Sequence, residues 1–243
     1  MRTHSSSGRP AAVSITLPIG ILQVEARPDA TTAHLTLTPE ATTDREAAGA
    51  IADTTITEQG GTLTITVPRR PARGGGFSGN VVVGQVVTGM TIVNGQIVGG
   101  SALRSNTGAV RAVLIVPASA RLVLDSENGE ISTTGPAGQI TASTVNGGVR
   151  VEHAETVVVE TCNGSIHAGA VSNLEARTTN GNIRVDRVTG SAVLRTTNGN
   201  IRAHTTTGDF SARSVNGDVQ LSSEGVSVPR SAVRTVHGSV TIR

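Results

Sequence analysis

The chain has 243 residues, with 20 basic residues, all Arg, against 18 acidic ones, a net charge of +2, one Cys, two Phe and neither Trp nor Tyr. That balance, without aromatic rings to stack bases, excludes the footprint of a nucleic-acid-binding protein. The lone Cys162 excludes an intramolecular disulfide framework. With aromatics at 1% and Gly at 29 residues, the interior has to be built from Val, Ile, Leu and Ala, which suits a thin, layered core.

In chain order, residues 1–10 read as a disordered tail. The apolar run after Arg2 and Arg9 has the look of a signal-peptide core, but Val13, Ile15 and Leu17 alternate with Ser14 and Thr16, and Pro18 interrupts them. We therefore read it as a strand. No stretch approaches the roughly 18 apolar residues of a membrane span, so the expected location is cytoplasmic, with export by a non-obvious route as the alternative. Residues 11–70 form an N-terminal β cap, with strands at 12–17, 20–26, 33–38, 54–57 and 62–67 and one helical turn within Thr43–Ala52. Residues 71–79 are a Gly/Arg linker, and the arginines around it (Arg69, Arg70, Arg73) are expected to be solvated. Residues 80–109 are an apolar insertion in which Asn94-Gly95 joins a β-hairpin. That hairpin either presents an interaction surface or covers the first coil of the repeats.

Residues 110–243 carry those repeats, reached through two strands around Val116–Ala120. Arg177-Thr-Thr-Asn-Gly-Asn-Ile-Arg-Val185 returns almost unchanged as Arg195–Ala203, with a degenerate copy, Asp186–Leu194, between them. The unit is nine residues and the coil about eighteen, the mark of a solenoid. With the Gly of each unit at position five, position seven reads Ile131, Ile140, Val149, Val157, Ile166, Leu174, Ile183, Ala192, Ile201, Phe210, Val219. Position nine is also apolar, and position eight between them is often polar (Arg150, His167, Arg184, Arg202, Gln220), which is a strand with one buried face. Position four is Asn128, Asn146, Asn163, Asn180, Asn198 and Asn216, each followed by Gly, a pair that tolerates positive φ at a sharp corner. Successive hairpins would give no reason for the sustained register. Stacked coils put each Asn above the last at about 4.8 Å, so that their amides bond up the stack over some six coils. The expected fold is all-β, a single-stranded parallel β-helix with two short strands per coil and an N-terminal β cap, right-handed by analogy with parallel crossovers.

After Leu221 the register slips by about three residues, a loop near Pro229 follows, and His237 takes the Asn place in the last coil. The terminal strand and the 80–103 hairpin are the expected surfaces for self-association or a protein partner.

Chemistry-bearing residues are sparse. Cys162 at position three, aligned with Val145, Thr179, Val188, Thr197 and Val215, reads as a small apolar filler. The position-two column (Thr144, Thr161, Thr178, Thr196, Ser214, Thr235) is either a flat lattice for ice or glycan or, better, a run of good strand formers. If position three is buried, one outward Thr per coil remains. Position one stacks Arg177, Arg195, Arg213 and Arg234 into a stripe. It is either an interaction face for an anionic polymer or acidic protein or a solvated face that discourages lateral association. Ile after Gly-Asn departs from calcium β-roll motifs, which need Asp there. The six His are scattered, Glu152, Glu155 and Glu160 occupy different unit positions, and no phosphate-loop motif occurs. Catalytic, metal and cofactor residues are thus none. The reading is a non-enzymatic structural or protein-interaction module, with a cell-surface or glycan-binding adhesin as the alternative and a carbohydrate-active enzyme as a third.

Ser14–Ala26, Leu114–Leu122 and the serial Asn-Gly-x-Ile/Val units resemble the bacterial putative-adhesin family of unknown function built from β-strand repeats. The resemblance covers most of the chain, leaves residues 80–103 as an insertion, and implies a single-chain parallel β-helix with no agreed activity.

Overall fold

The computed structural model describes residues 1–69, 91–93, 96–99 and 108–243. The N-terminal part contains β1 (Arg2–Ser5), β2 (Ala12–Arg27), β3 (His34–Pro39), helix α1 (Arg45–Ala52), β4 (Thr55–Gln59) and β5 (Thr62–Thr66). Then come β6 (Thr91–Val93), β7 (Gln96–Gly99), β8 (Val110–Pro117), β9 (Arg121–Asn146), β10 (Val149–Asn163) and β11 (Ile166–Asn180). The last coils are β12 (Ile183–Val188), β13 (Ala192–Asn198), β14 (Ile201–Thr205), β15 (Phe210–Asn216), β16 (Val219–Ser223), β17 (Val233–His237) and β18 (Val240–Ile242).

The repeats wind as a parallel β-helix. One wall stacks Ile131, Val149, Ile166, Ile183, Ile201 and Val219 in direct parallel register. The other stacks Ile140, Val157, Leu174, Ala192 and Phe210. Every one of these side chains is buried, so each coil closes its apolar face only against the coils above and below. Strands β9, β10 and β11 run continuously round one corner; from β12 onward each coil divides into two short strands. Asn216 pairs with His237, 21 residues on, whereas Asn198 pairs with Asn216, 18 on, which gives the three-residue slip. The extra residues hold a short 3-10 turn, Arg230–Ala232, and Val228 tucks inside.

Two N-terminal expectations change. Residues 1–10 are not a free tail: β1 pairs antiparallel with β3, and the Arg2 guanidinium donates to the carbonyls of Ile51, Ala52 and Thr54. It thereby satisfies orphan acceptors at the end of α1, a role that no local pattern in a polar ten-residue stretch announces. Nor does the solenoid begin at residue 110. Strand β2 pairs with β9 from Ala12↔Arg121 to Glu25↔Thr134 and is a complete coil. On its other side β5 and β8 lie end to end as one more, interrupted coil. The cap proper is β3 and β1, added antiparallel to β8, and β4, added antiparallel to β5.

Helix α1 starts at Asp44, whose Oδ1 accepts from the N–H of Glu46 and Ala47 while Oδ2 accepts from Gly108 N–H. Strands β6 and β7 pair antiparallel, Val93 opposite Gln96. Linker 71–79, and the question of what the hairpin covers, lie outside the described residues.

Candidate interaction face

The face is set by the Asn-Gly corner. Asn Nδ2 donates to Asn Oδ1 one coil below in an unbroken ladder, Asn146 to Asn128 (2.8 Å), Asn163 to Asn146 (2.8 Å), Asn180 to Asn163 (2.8 Å), Asn198 to Asn180 (2.7 Å) and Asn216 to Asn198 (2.8 Å). The glycine beside it is there for a different reason from the one its sequence suggests. Gly217 and Gly238 have φ of 147° and 153°, but what the column needs is space. A Cβ on Gly147, Gly164, Gly181 or Gly199 would sit 1.9–2.0 Å from the carbonyl oxygen of the glycine below. That carbonyl is held by the position-two hydroxyl of the next coil: Thr178 Oγ1 donates to Gly164 O at 3.0 Å, Thr196 to Gly181 at 3.0 Å, Ser214 to Gly199 at 2.9 Å.

A third ladder, at position six, escaped the sequence reading. Asn182 Oδ1 accepts Asn200 N–H, Asn200 Oδ1 accepts Asp218 N–H, and Asp218 Oδ1 accepts both the N–H and the hydroxyl of Ser239. Those bonds from Ser239, with the charge of Arg202, hold the Asp218 carboxyl below its ordinary range. The repeat of Asn, Asn and Asp at one position was the available signal.

The hydroxyl contacts also correct the assignment of inside and outside. Position two is buried, at 3–6% exposure for Thr144, Thr161, Thr178, Thr196 and Ser214, so the Thr column offers no lattice to a ligand. Position three points out. Cys162 is exposed, not a core filler, and Val145 and Val215 are 44% and 40% exposed. The half-coils differ in phase. In Ala192-Val-Leu-Arg-Thr196 period-two alternation runs on unbroken and puts Thr196 inside. In Ile183-Arg-Val-Asp-Arg-Val188 the alternation breaks after Val185, and Val188 goes inside instead. A nine-residue alignment pools the two.

Positions one to three of six successive coils line an open trough of about 780 Å³ along the stack. Its floor is the buried Thr column. One wall is position one: Ser143, Glu160, Arg177, Arg195, Arg213 and Arg234 in direct register. The other is position three: Val145, Cys162, Thr179, Thr197, Val215 and Val236. Among the described residues the exposed large hydrophobics are Met1, Val145, Val215 and Val236, so all but the N-terminal one stand on this wall.

The cationic wall is polarised. Arg177 is taken by Glu160 at 3.2 Å and by Glu175. Arg195 and Arg213 are exposed and have no hydrogen-bond or ion-pair partner among the described residues, and Arg234 Nε reaches only the Ser231 carbonyl. Asp125 lies one coil before Ser143, by the same 18-residue step that joins Asn146 to Asn128; burial pushes its carboxyl up. The wall's uncompensated charge therefore lies toward the C-terminus, on Arg195 and Arg213.

The opposite face carries the position-eight column Arg150, His167, Arg184 and Arg202, in which all but Arg150 have a side-chain partner among the described residues. Asp186 takes His167 (2.8 Å) and Arg184 (3.0 Å), and Arg202 donates to Gln220 (3.1 Å). Burial opposes ionisation of Asp186, but those two bonds and charges outweigh it and lower its pKa. Glu160 is in the trough, while Glu152 and Glu155 are exposed elsewhere. No group of three or more His, Cys, Asp or Glu suited to a metal occurs among the described residues, and no described helix is long and apolar enough to cross a membrane.

The sequence matches the family model described as Toastrack DUF4097 over residues 29–243. None of the curated proteins matches it. Among solved structures, a putative adhesin from Bacteroides fragilis NCTC 9343 has a TM-score of 0.56 at 9% identity, over 100% of this chain and 96% of that one. A putative adhesin from Parabacteroides distasonis ATCC 8503 has a TM-score of 0.49 at 10% identity, covering 100% and 97%. A putative lipid binding protein from the same organism has 0.45 at 11%, covering 99% and 93%.

Proposed function

The chain belongs to the Toastrack DUF4097 family, and from that premise we propose that it is a non-enzymatic protein-interaction module whose working surface is the trough. The observation that carries the reading is the pair Arg195 and Arg213, exposed and unpartnered, with the exposed Val215 and Val236 on the facing wall. Guanidinium, Val and Thr side chains recognise a surface, and no histidine lines the trough to serve as base to the one thiol there, Cys162. A native-lysate pull-down with wild-type protein and with R195E/R213E tests it. A protein retained by the first and missing from the second supports the trough; identical captures overturn it.

Self-association is proposed as well, with Val236 at 70% exposure; sedimentation as a monomer at every micromolar concentration would remove it. We also propose a cytoplasmic location; recovery from culture medium or cell wall would favour the adhesin reading instead.

A further inference from the structure

We infer, resting on the trough as the interaction face, that its occupant is an acidic amphipathic helix of a partner protein, laid along the stack over the coils of Arg195, Arg213 and Arg234. Three observations select that chemistry. The basic end of the wall offers positive charge that no internal acid has claimed. Two exposed valines, Val215 and Val236, stand opposite Arg213 and Arg234 across the position-two floor, with Thr197 opposite Arg195. No aromatic residue lines the trough. A nucleic acid or glycan would leave the valines uncovered and would find no ring to stack on. An acidic helix with an apolar stripe meets both walls at once.

The spacing favours a helix over an extended strand. From Arg195 to Arg234 there are two rung steps, about 9.6 Å in all. Carboxylates at i, i+3 and i+7 of an α-helix share one face and span about 10.5 Å at 1.5 Å per residue. In an extended chain, same-side residues recur at about 6.8 Å and overshoot the rungs at once. Further along the wall Glu160 and Arg177 neutralise each other, so the charge left for carboxylates lies over the last coils.

The test uses the full chain and a synthetic helical peptide with Glu at i, i+3 and i+7 and Leu along the adjacent stripe. Three further probes accompany it: the same residues scrambled, poly-glutamate, and an anionic polysaccharide. The designed peptide is expected to bind and to weaken as salt rises. R195E/R213E should weaken it about tenfold or more. V215S/V236S should weaken it with the salt dependence unchanged. Melting curves check that both variants are folded, and R195Q/R213Q separates loss of attraction from added repulsion. Equal binding of the scrambled peptide or poly-glutamate would overturn the helical register, and tighter binding of the polysaccharide would overturn the partner class. If the peptide fails while R195E/R213E still loses a lysate protein, the helix is wrong and the interaction face stands; if that variant loses nothing, both fall.

Discussion

Each coil turns two corners, and they are built differently. At the Asn-Gly corner three ladders run up the stack: amide to amide, hydroxyl to glycine carbonyl and, over the last coils from Asn182, position-six oxygen to backbone N–H. At the other corner the coil length wavers between 17 and 18 residues, Leu174 to Ala192 being 18 and Val157 to Leu174 being 17. There the strand pairing shifts register beyond Val151 and Val185. A corner that stacks identical atoms at one spacing tolerates no insertion, while one closed by dissimilar residues absorbs it. The trough lies beside the strict corner, which keeps its two walls in register.

The contrast is broken hardest at Gly181. G181A drives a Cβ to 1.9 Å from the Gly164 carbonyl oxygen, in backbone pinned on both sides. We expect a loss of more than about 3 kcal/mol, read by denaturant unfolding. T178V comes next. It keeps the shape but removes the hydroxyl from a buried contact with the same carbonyl, for about 1–3 kcal/mol. N180A opens the exposed amide ladder on both sides and should cost about 1 kcal/mol.

Acidification gives a finer probe. The Asp218 carboxyl is held low by hydrogen bonds from the Ser239 N–H and hydroxyl. Its contribution is therefore complete above the unfolded carboxyl pKa of about 3.9 and is lost as pH falls through the lower folded value. D218N keeps an acceptor without the charge, so its stability should vary less than the wild type's over that acid range. The smallest effect belongs to the permissive corner. A Cβ on Gly208 meets nothing nearer than Ser227 O at 3.7 Å, and G208A should stay within about 0.5 kcal/mol. A G208A loss comparable to that of G181A would erase the distinction between the corners.

Much of this was legible because a stacked coil repeats its chemistry at a fixed interval. The apolar columns, the Asn column and the Arg stripe all come from counting by nine and eighteen. What stayed hidden had lost the letters. The first coil turns at Pro18-Ile19-Gly20, where Ile19 and Gly20 pair with Asn128 and Gly129. A Cβ on Gly20 would meet Val110 O at 1.9 Å, so the steric demand survives where the Asn does not. Of the two ion pairs that neutralise Arg177, Glu175 lies two residues before it in the same strand, whereas Glu160 reaches it from the neighbouring coil, which only the stacking brings near.

The amino-acid order alone determined that this chain stacks parallel coils on Val, Ile, Leu and Ala, because only repeated apolar spacing can close such thin layers. The tertiary structure alone decided which of Thr178 and Thr179 faces in, where the solenoid begins, and which arginines remain uncompensated. Those choices depend on where alternation breaks at each corner and on which side chains the next rung brings within reach, and neither is written within a single nine-residue unit.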